Sequence, residues 1–554
     1  MTTALTDRTP APVIRRGAGR HRLWWLLAAG WLAQVALRLW LNRYHAGPVA
    51  NPDETGYLLA ARWLAGGVGA DLSGTTFYQA GYALPLVPIF WLTSDPVLAY
   101  RLVLVAGAMA SAGAFPMAYL LLRRLRTGTR TALLMSFAAG LAPSLLVFSG
   151  YALADAILPV LVLGWLVAVH DLVARGSAGA GAVAGGLAAY AMATHLRGTV
   201  IVAVCLLVVA ALFRRLPRAA VIATLMGAVV VMVAGEALNG ALRAALYPGG
   251  HRDLSGLLLT RLTSFEGQAW ALSGAAGQLW YLIAATWGLA GVGLAGAAAL
   301  PARRTAPLPQ RVLAGALLLI TLGVAYASSA ALPDEHRVGN YAYGRYLACV
   351  VVAWTLAGML VLVRDGRLRV VRHALAAAGL LAVTGGVVAR YAGDRLWRYS
   401  FIAFDFPEVM FLSGVRDRLD LVAASTSALL LLTCLTGAAL PTTRRWATSL
   451  VVGVVMLIHL AFAAHVAPAT PPRAGPDWLP APPPGRVAVD ARLPWNLWVP
   501  LSYRVWWTEI ERFHGTPPAG ACTAVVPMTA TPPPGWLMTG EGGARQGWTT
   551  WSRC

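Results

Sequence analysis

Three kinds of residue in this chain stand where they can do chemistry: acids beside apolar runs, arginines at the ends of such runs, and tyrosines near both. Asn51-Pro52-Asp53-Glu54-x-x-Tyr57 sets two adjacent carboxylates shortly after the first apolar run, opening the amphipathic stretch TGYLLAARWLAGG. A carboxylate held at a membrane surface can serve as a general base. The same pair would also start a helix, with Asp53 as N-cap and Glu54 favoured by the first-turn dipole. The two readings are compatible. Asp155, in Tyr151-Ala-Leu-Ala-Asp155-Ala-Ile-Leu, has only apolar neighbours, so it is either functional or caps the next span. Arg197 lies in the short turn Thr194-His195-Leu196-Arg197-Gly198, and Arg345 in Tyr341-Ala-Tyr343-Gly344-Arg345-Tyr346-Leu347. Guanidinium groups are permanently charged, bidentate donors and suit a phosphate clamp. The plain alternative is an arginine snorkelling from a span end. His195 can add a donor beside Arg197. Tyr78 belongs to the cluster Phe77-Tyr78-Gln79-Ala80-Gly81-Tyr82, an interfacial aromatic belt or a surface for sugar stacking.

The elements that must position these residues are apolar. Of 554 residues 58% are hydrophobic and only 12% charged, against about 25% in an average soluble domain. Apolar runs of about 20 residues recur, the length of a membrane-spanning helix. The expected fold class is an all-α polytopic membrane protein. About 13 transmembrane helices are expected, near 23–42, 101–122, 131–150, 156–174, 178–194, 199–213, 219–236, 278–299, 312–330, 346–363, 373–390, 421–440 and 447–467. Every basic residue is arginine and Ala and Gly abound, which points to a GC-rich genome. The net charge of +21 is spread among loops between spans, which excludes a nucleic-acid partner. With a cytoplasmic N-terminus (1–22), half of the arginines fall on the inner side, accompanied by only three acids, Asp7, Asp171 and Asp365. The positive-inside rule then sets a multi-pass protein with an extracytoplasmic C-terminus. Gly81–Leu92 carries Pro85 and Pro88 and is too short to cross, so it reads as an interfacial or re-entrant helix. The long outer loop 43–100 and the loops 237–277, 331–345 and 391–420 then share the outer face.

Beyond the transmembrane domain (23–467) and a Pro-rich linker (468–485), residues 486–554 read as a small extracytoplasmic α/β module. Arg486–Asp490, Cys522–Pro527 and Gly547–Arg553 read as strands, and Val499–Phe513 as a helix. Cys522 and Cys554 face the oxidising side, where either a disulfide or two free thiols is consistent with their spacing. The motifs G-x-x-x-x-G-K-S/T, H-E-x-x-H and G-x-S-x-G are missing. Neither a metal site nor a cofactor is indicated, and a need for a divalent metal is left open. Gly179-x-Gly181-x-x-Ala184 lies within a span and reads as close helix packing.

The Asp-Glu pair after the first span, a short Pro-containing helix on the same face, Asp95-Pro96-x-x-x-Tyr100-Arg101 and a second Asp after the third span together resemble the C-type (GT-C) glycosyltransferases. Within them the chain looks like the protein mannosyltransferase and lipid A aminoarabinose transferase group, clearest over about residues 20–200, with an echo at Gly344-Arg345-Tyr346-Leu347. The resemblance implies an inverting transfer of a sugar from a polyprenyl-phosphate donor to an extracytoplasmic hydroxyl of a cell-envelope glycan, lipid or protein. Asp53 would be the catalytic carboxylate, with Glu54 beside it. Asp155 would be the second acid, and Arg197 and Arg345 would bind the lipid-linked phosphate. Arg101, His195, Tyr57, Tyr78 and Tyr346 complete the expected substrate-binding set. The aminoarabinose enzymes carry a charged residue and paired prolines where this chain reads Tyr78-Gln79-Ala80-Gly81-Tyr82. The rival readings are a non-catalytic envelope scaffold, a lipid or polysaccharide transporter, and a lipid-to-polymer ligase.

Overall fold

The computed structural model describes residues 16–50, 52–440, 444–470, 485–494, 497–498, 501, 510–540 and 547–554. Asn51, most of the N-terminal segment and most of the Pro-rich linker therefore lie outside the described residues. Nine described helices are long and apolar enough to cross a membrane, or ten if a bent pair is one span. The chain is a multi-pass membrane protein. Three other expected spans take broken or shorter forms. Residues 131–150 fall in Thr129–Gly140 and Pro143–Phe148, interrupted where Pro143 has no N–H to donate to the preceding turn. The apolar helices Ala178–Thr194 and Gly198–Leu212 have 17 and 15 residues. The span expected at 278–299 is instead Phe265–Ala285 followed by Leu289–Ala298, bent by 116°. The bend sits where Trp287 and Gly288 take φ of 60° and 83°, a left-handed pair that no α-helix continues through.

Small residues draw the spans together. Gly181 and Gly185 of Ala178–Thr194 face the Arg218–Leu246 helix so closely that a Cβ on Gly185 would overlap the Thr224 carbonyl. Dispersion contacts between close backbones replace the hydrophobic drive that lipid cannot supply. The segment Ala80–Leu92 is a chain of short helical turns, Ala80–Ala83, Leu84–Leu86 and Val87–Leu92, with exposed Trp91 and Leu92 at its end.

The C-terminal residues form a five-stranded mixed sheet, β1 Arg486–Asp490, β2 Ile510–Phe513, β3 Ala521–Pro527, β4 Leu537–Gly540 and β5 Trp548–Ser552, in the order β2-β1-β3-β5-β4. The expected helix Val499–Phe513 needs correction. Its last four residues are β2, which pairs parallel with β1, and residues 502–509 lie outside the described set. Pairing with the buried Val487 and Val489 strand overrides the local apolar pattern that suggested a helix. β4 had no counterpart in the sequence reading. Cys522 and Cys554 are joined by a disulfide. The sheet packs on the outer loops: Val487, Val489, Leu501 and Trp548 share one apolar cluster with Leu58 and Leu72 of the first loop and Tyr247 of the loop 237–277. An Arg512–Asp71 ion pair at 3.6 Å adds to that contact.

Candidate active site

Asp53 is the first residue of the helix Asp53–Leu64, and its side chain caps nothing. Its Oδ1 accepts from the Tyr78 hydroxyl at 2.9 Å, and its Oδ2 from Arg345 Nη1 at 2.8 Å. Asp155 likewise caps no helix. It lies in the 3-10 turn Ala154–Ala156, where Oδ1 accepts from Arg197 Nη2 at 2.8 Å and Oδ2 from Arg345 Nε at 2.9 Å. Arg345 thus links the two acids, and Arg197 closes the set from the other side.

Neither arginine snorkels. Side-chain exposure is 3% for Arg197, 6% for Arg345 and 1% for Asp155, against 35% for Asp53. Tight glycine packing makes this burial possible. A Cβ on Gly198 would overlap the Ala191–Met192 backbone, and one on Gly344 would overlap the Tyr281 ring. Arg197 also donates to the carbonyls of Arg345 and Tyr346 at 3.2 and 3.1 Å, and its guanidinium lies 5.2 Å from the Tyr346 ring centre. Burial alone would raise the Asp155 carboxyl. The flanking Arg197 and Arg345 outweigh it and hold the group well below the usual carboxylate range. His195 Nδ1 accepts from the Arg197 backbone and Nε at 3.2 and 3.3 Å, which leaves its proton on Nε2. Burial, reinforced by Arg197, holds this imidazole neutral, well below its ordinary value.

Three tyrosines brace the Asp53 side. Tyr57 meets Tyr78 and Tyr82 edge-on at 5.3 and 5.1 Å. Glu54 does not share the site with Asp53. Its carboxylate is buried beneath the cavity wall and accepts four hydrogen bonds: Val49 and Ala50 N–H at 2.7 and 2.8 Å, the Tyr100 hydroxyl at 2.6 Å and Ala152 N–H at 2.8 Å. Burial pushes this carboxyl up, against the pull of those four bonds. The expectation of a catalytic Glu54 is therefore corrected: one helical position turns it about 100° away from Asp53, into the core. Arg101 is corrected too. It is exposed and does not line the cavity, while its neighbour Tyr100 points inward to Glu54.

Asp53, Tyr57, Tyr78, His195, Arg197, Arg345 and Tyr346 line one cavity of about 930 Å³. Its lining combines this ionic cluster with apolar side chains including Leu196, Val200, Leu258, Val324, Ala331 and Leu332. The same cavity holds residues the sequence reading passed over: Asp405, Arg337, Tyr343, Phe404 and the Arg252–Glu335 pair, 2.7 Å apart. Asp405 lies between aromatics in FIAFDF, a signal of an acid in apolar surroundings like the one that exposed Asp155. Among the described residues no three His, Cys, Asp or Glu side chains converge as a metal site would require.

No protein-family model matches the sequence, and no curated protein matches it. The solved structure of ArnT from Cupriavidus metallidurans bound to undecaprenyl phosphate superimposes with a TM-score of 0.50 at 13% identity, covering 97% of this chain and 98% of that one. Its apo state gives 0.50 at 14%, over 97% and 99%. The chain has the GT-C fold. A looser overlap, TM-score 0.46 at 14% identity, covers 83% of this chain and 42% of the arabinosyltransferase EmbB from Mycobacterium smegmatis. Within this fold, the acids and arginines of the site come from segments far apart in sequence, with Asp53 and Arg345 separated by 292 positions.

Proposed function

We propose that this protein is an inverting glycosyltransferase that moves a sugar from a polyprenyl-phosphate donor to an extracytoplasmic hydroxyl of an envelope glycan, lipid or protein. The observation that carries the reading is the Asp53–Arg345–Asp155–Arg197 network at a cavity whose lining also includes many apolar side chains. That mixture suits a lipid phosphate, with its head group at the arginines and its chain along side chains such as Val200, Leu258 and Val324. The likeness in fold to an ArnT structure that holds undecaprenyl phosphate supports the same ligand class.

In the transfer step, the acceptor oxygen attacks the anomeric carbon as the bond from that carbon to the phosphate oxygen breaks. The bonding pair leaves with the phosphate, and the acceptor proton passes to Asp53. Arg345 Nη2 has no protein hydrogen bond among the described residues, so it is available to the leaving phosphate. Asp155 does not touch substrate in this scheme. It holds Arg197 and Arg345 at fixed positions, so little reorganisation is needed as charge develops, a contribution typically of ~10²–10³-fold per donor. Glu54 is a positioning residue that ties the Val49–Ala50 backbone, Tyr100 and Ala152 together beneath Asp53. The N-terminus lies in the cytoplasm in this reading, and the 486–554 module sits on the outer face over the first loop. The test is an in vitro assay of purified protein with a panel of polyprenyl-phosphate sugars, wild type against Asp53→Ala. Turnover of a donor by wild type and its loss in the variant is expected. A well-folded wild type that turns over no donor would favour a scaffold instead.

A further inference from the structure

The transfer step leaves one acid of the cavity unused. Asp405 closes the 3-10 turn Ala403–Asp405 and is 2% exposed. It lines the cavity, yet neither carboxylate oxygen is hydrogen-bonded to any described residue, and Oδ2 is wholly buried. Arg337 is its largest stabilising charge, and Arg337 Nε is also buried without a partner. Burial, against the pull of Arg337 and Arg345, raises the carboxyl to about 6.

The turn is held firmly in this unfavourable place. Phe404 meets Tyr151 edge-on at 4.9 Å, and Phe401 stacks on Phe406 at 5.0 Å. An Arg337–Ser400 bridge joins the two loops. Gly339 makes room for the carboxylate, since a Cβ there would stand 2.7 Å from Oδ2. A buried acid without donors destabilises the empty protein, and Oδ1, which is not enclosed as Oδ2 is, is the oxygen that a ligand in the cavity can reach. A carboxylate acceptor beside the Tyr343 and Phe404 rings, with a guanidinium N–H at hand, suits a hydroxyl-rich ring. The apolar residues Ala331, Leu332 and Pro333 line the same cavity, six to four positions before Arg337.

We propose that Asp405 and Arg337 seat the donor sugar, the Asp405 carboxylate accepting hydrogen bonds from ring hydroxyls of the polyprenyl-phosphate-linked monosaccharide. This rests on the transferase reading. The test measures binding by the full chain in lipid nanodiscs, with undecaprenyl phosphate and a panel of undecaprenyl-phosphate hexoses and pentoses as probes. Wild type is expected to bind at least one sugar-linked lipid tenfold or more tighter than undecaprenyl phosphate. Asp405→Asn, and independently Gly339→Ala, should erase that preference and leave the affinity for undecaprenyl phosphate within about twofold. Without lipid, Asp405→Asn should unfold at a higher temperature than wild type, because the uncompensated buried charge is gone; a structural role would lower it. A sugar preference that survives Asp405→Asn overturns the proposal, as does an Asp405→Asn protein that is less stable or has lost undecaprenyl phosphate binding. If wild type binds undecaprenyl phosphate but prefers no sugar-linked form, the sugar seat fails and the transferase reading stands. If wild type binds neither, both fall.

Discussion

Replacing Asp53 by Asn separates catalysis from structure. The Asp53 carboxylate has two partners, Tyr78 at 2.9 Å and Arg345 at 2.8 Å. An Asn of the same shape can accept from Arg345 through Oδ1 and donate to the Tyr78 oxygen through Nδ2, so both contacts survive in neutral form. Arg345 keeps Asp155 at 2.9 Å and the Tyr343 hydroxyl at 3.2 Å. The Asp53 side chain is 35% exposed, so solvent screens the lost ion pair and the stability cost is about 1 kcal/mol or less. A positioned general base contributes typically ~10²–10⁴-fold. Asp53→Asn should therefore unfold close to the wild-type temperature yet transfer sugar about 10²–10⁴ times more slowly. The assay follows labelled sugar leaving a polyprenyl-phosphate donor that wild type uses, with thermal unfolding measured on the same preparations. Transfer within tenfold of wild type by a folded Asp53→Asn protein would refute the base assignment.

Asp155→Asn should behave in the opposite way, lowering stability by about 3–5 kcal/mol, because two buried guanidinium groups lose their shared counter-charge; thermal unfolding alone distinguishes it from Asp53→Asn. Glu54→Gln turns an amide donor toward groups that are themselves donors and should cost about 2–4 kcal/mol, with kcat falling more than donor affinity as Asp53 loses its footing. Arg101→Ala should leave transfer unchanged in the same assay, since the side chain is exposed away from the cavity. Stability should also depend on pH through Asp405 and through Glu408, a buried acid in the helix Pro407–Ser413 that accepts from the Tyr281 hydroxyl at 2.6 Å; burial raises them from ordinary values of 3.8 and 4.5 to about 6 and about 7. The folded state binds the extra protons, so the contribution of these two groups is fully present below the ordinary values and is lost as pH rises through about 6–7. For Asp405 alone the difference corresponds to ~3 kcal/mol. Wild type should therefore unfold at a higher temperature at pH 5 than at pH 7.5, and Asp405→Asn should show a smaller difference.

Much of the membrane fold was legible because hydropathy is local. A run of apolar residues needs only its own length to identify it as a span, and arginine clusters mark its ends. Asp53, Asp155, Arg197 and Arg345 stood out for a related reason: an ion beside an apolar run is costly and demands an explanation. The same local reading could not choose between neighbours. Asp53 and Glu54 differ by one helical step, as do Tyr100 and Arg101, and only packing decides that Asp53 faces the cavity while Glu54 and Tyr100 turn into the core. Asp405 and Arg337 were passed over because their loops hold other charges, Asp394, Arg395 and Glu335 among them. The aromatic flanks of Asp405 in FIAFDF were the one local sign that set it apart, and it took aromatic packing to bury it while Asp394 stayed in solvent. β2 was misread as helix for a similar reason, since its partner strand lies outside any local window. The sequence by itself determined which segments are apolar, which ions are anomalous and where the chain must turn. Only the tertiary structure decided that one arginine would join Asp53 to Asp155, because pairing across 292 and 190 residues depends on how the helices pack, and no residue carries that information alone.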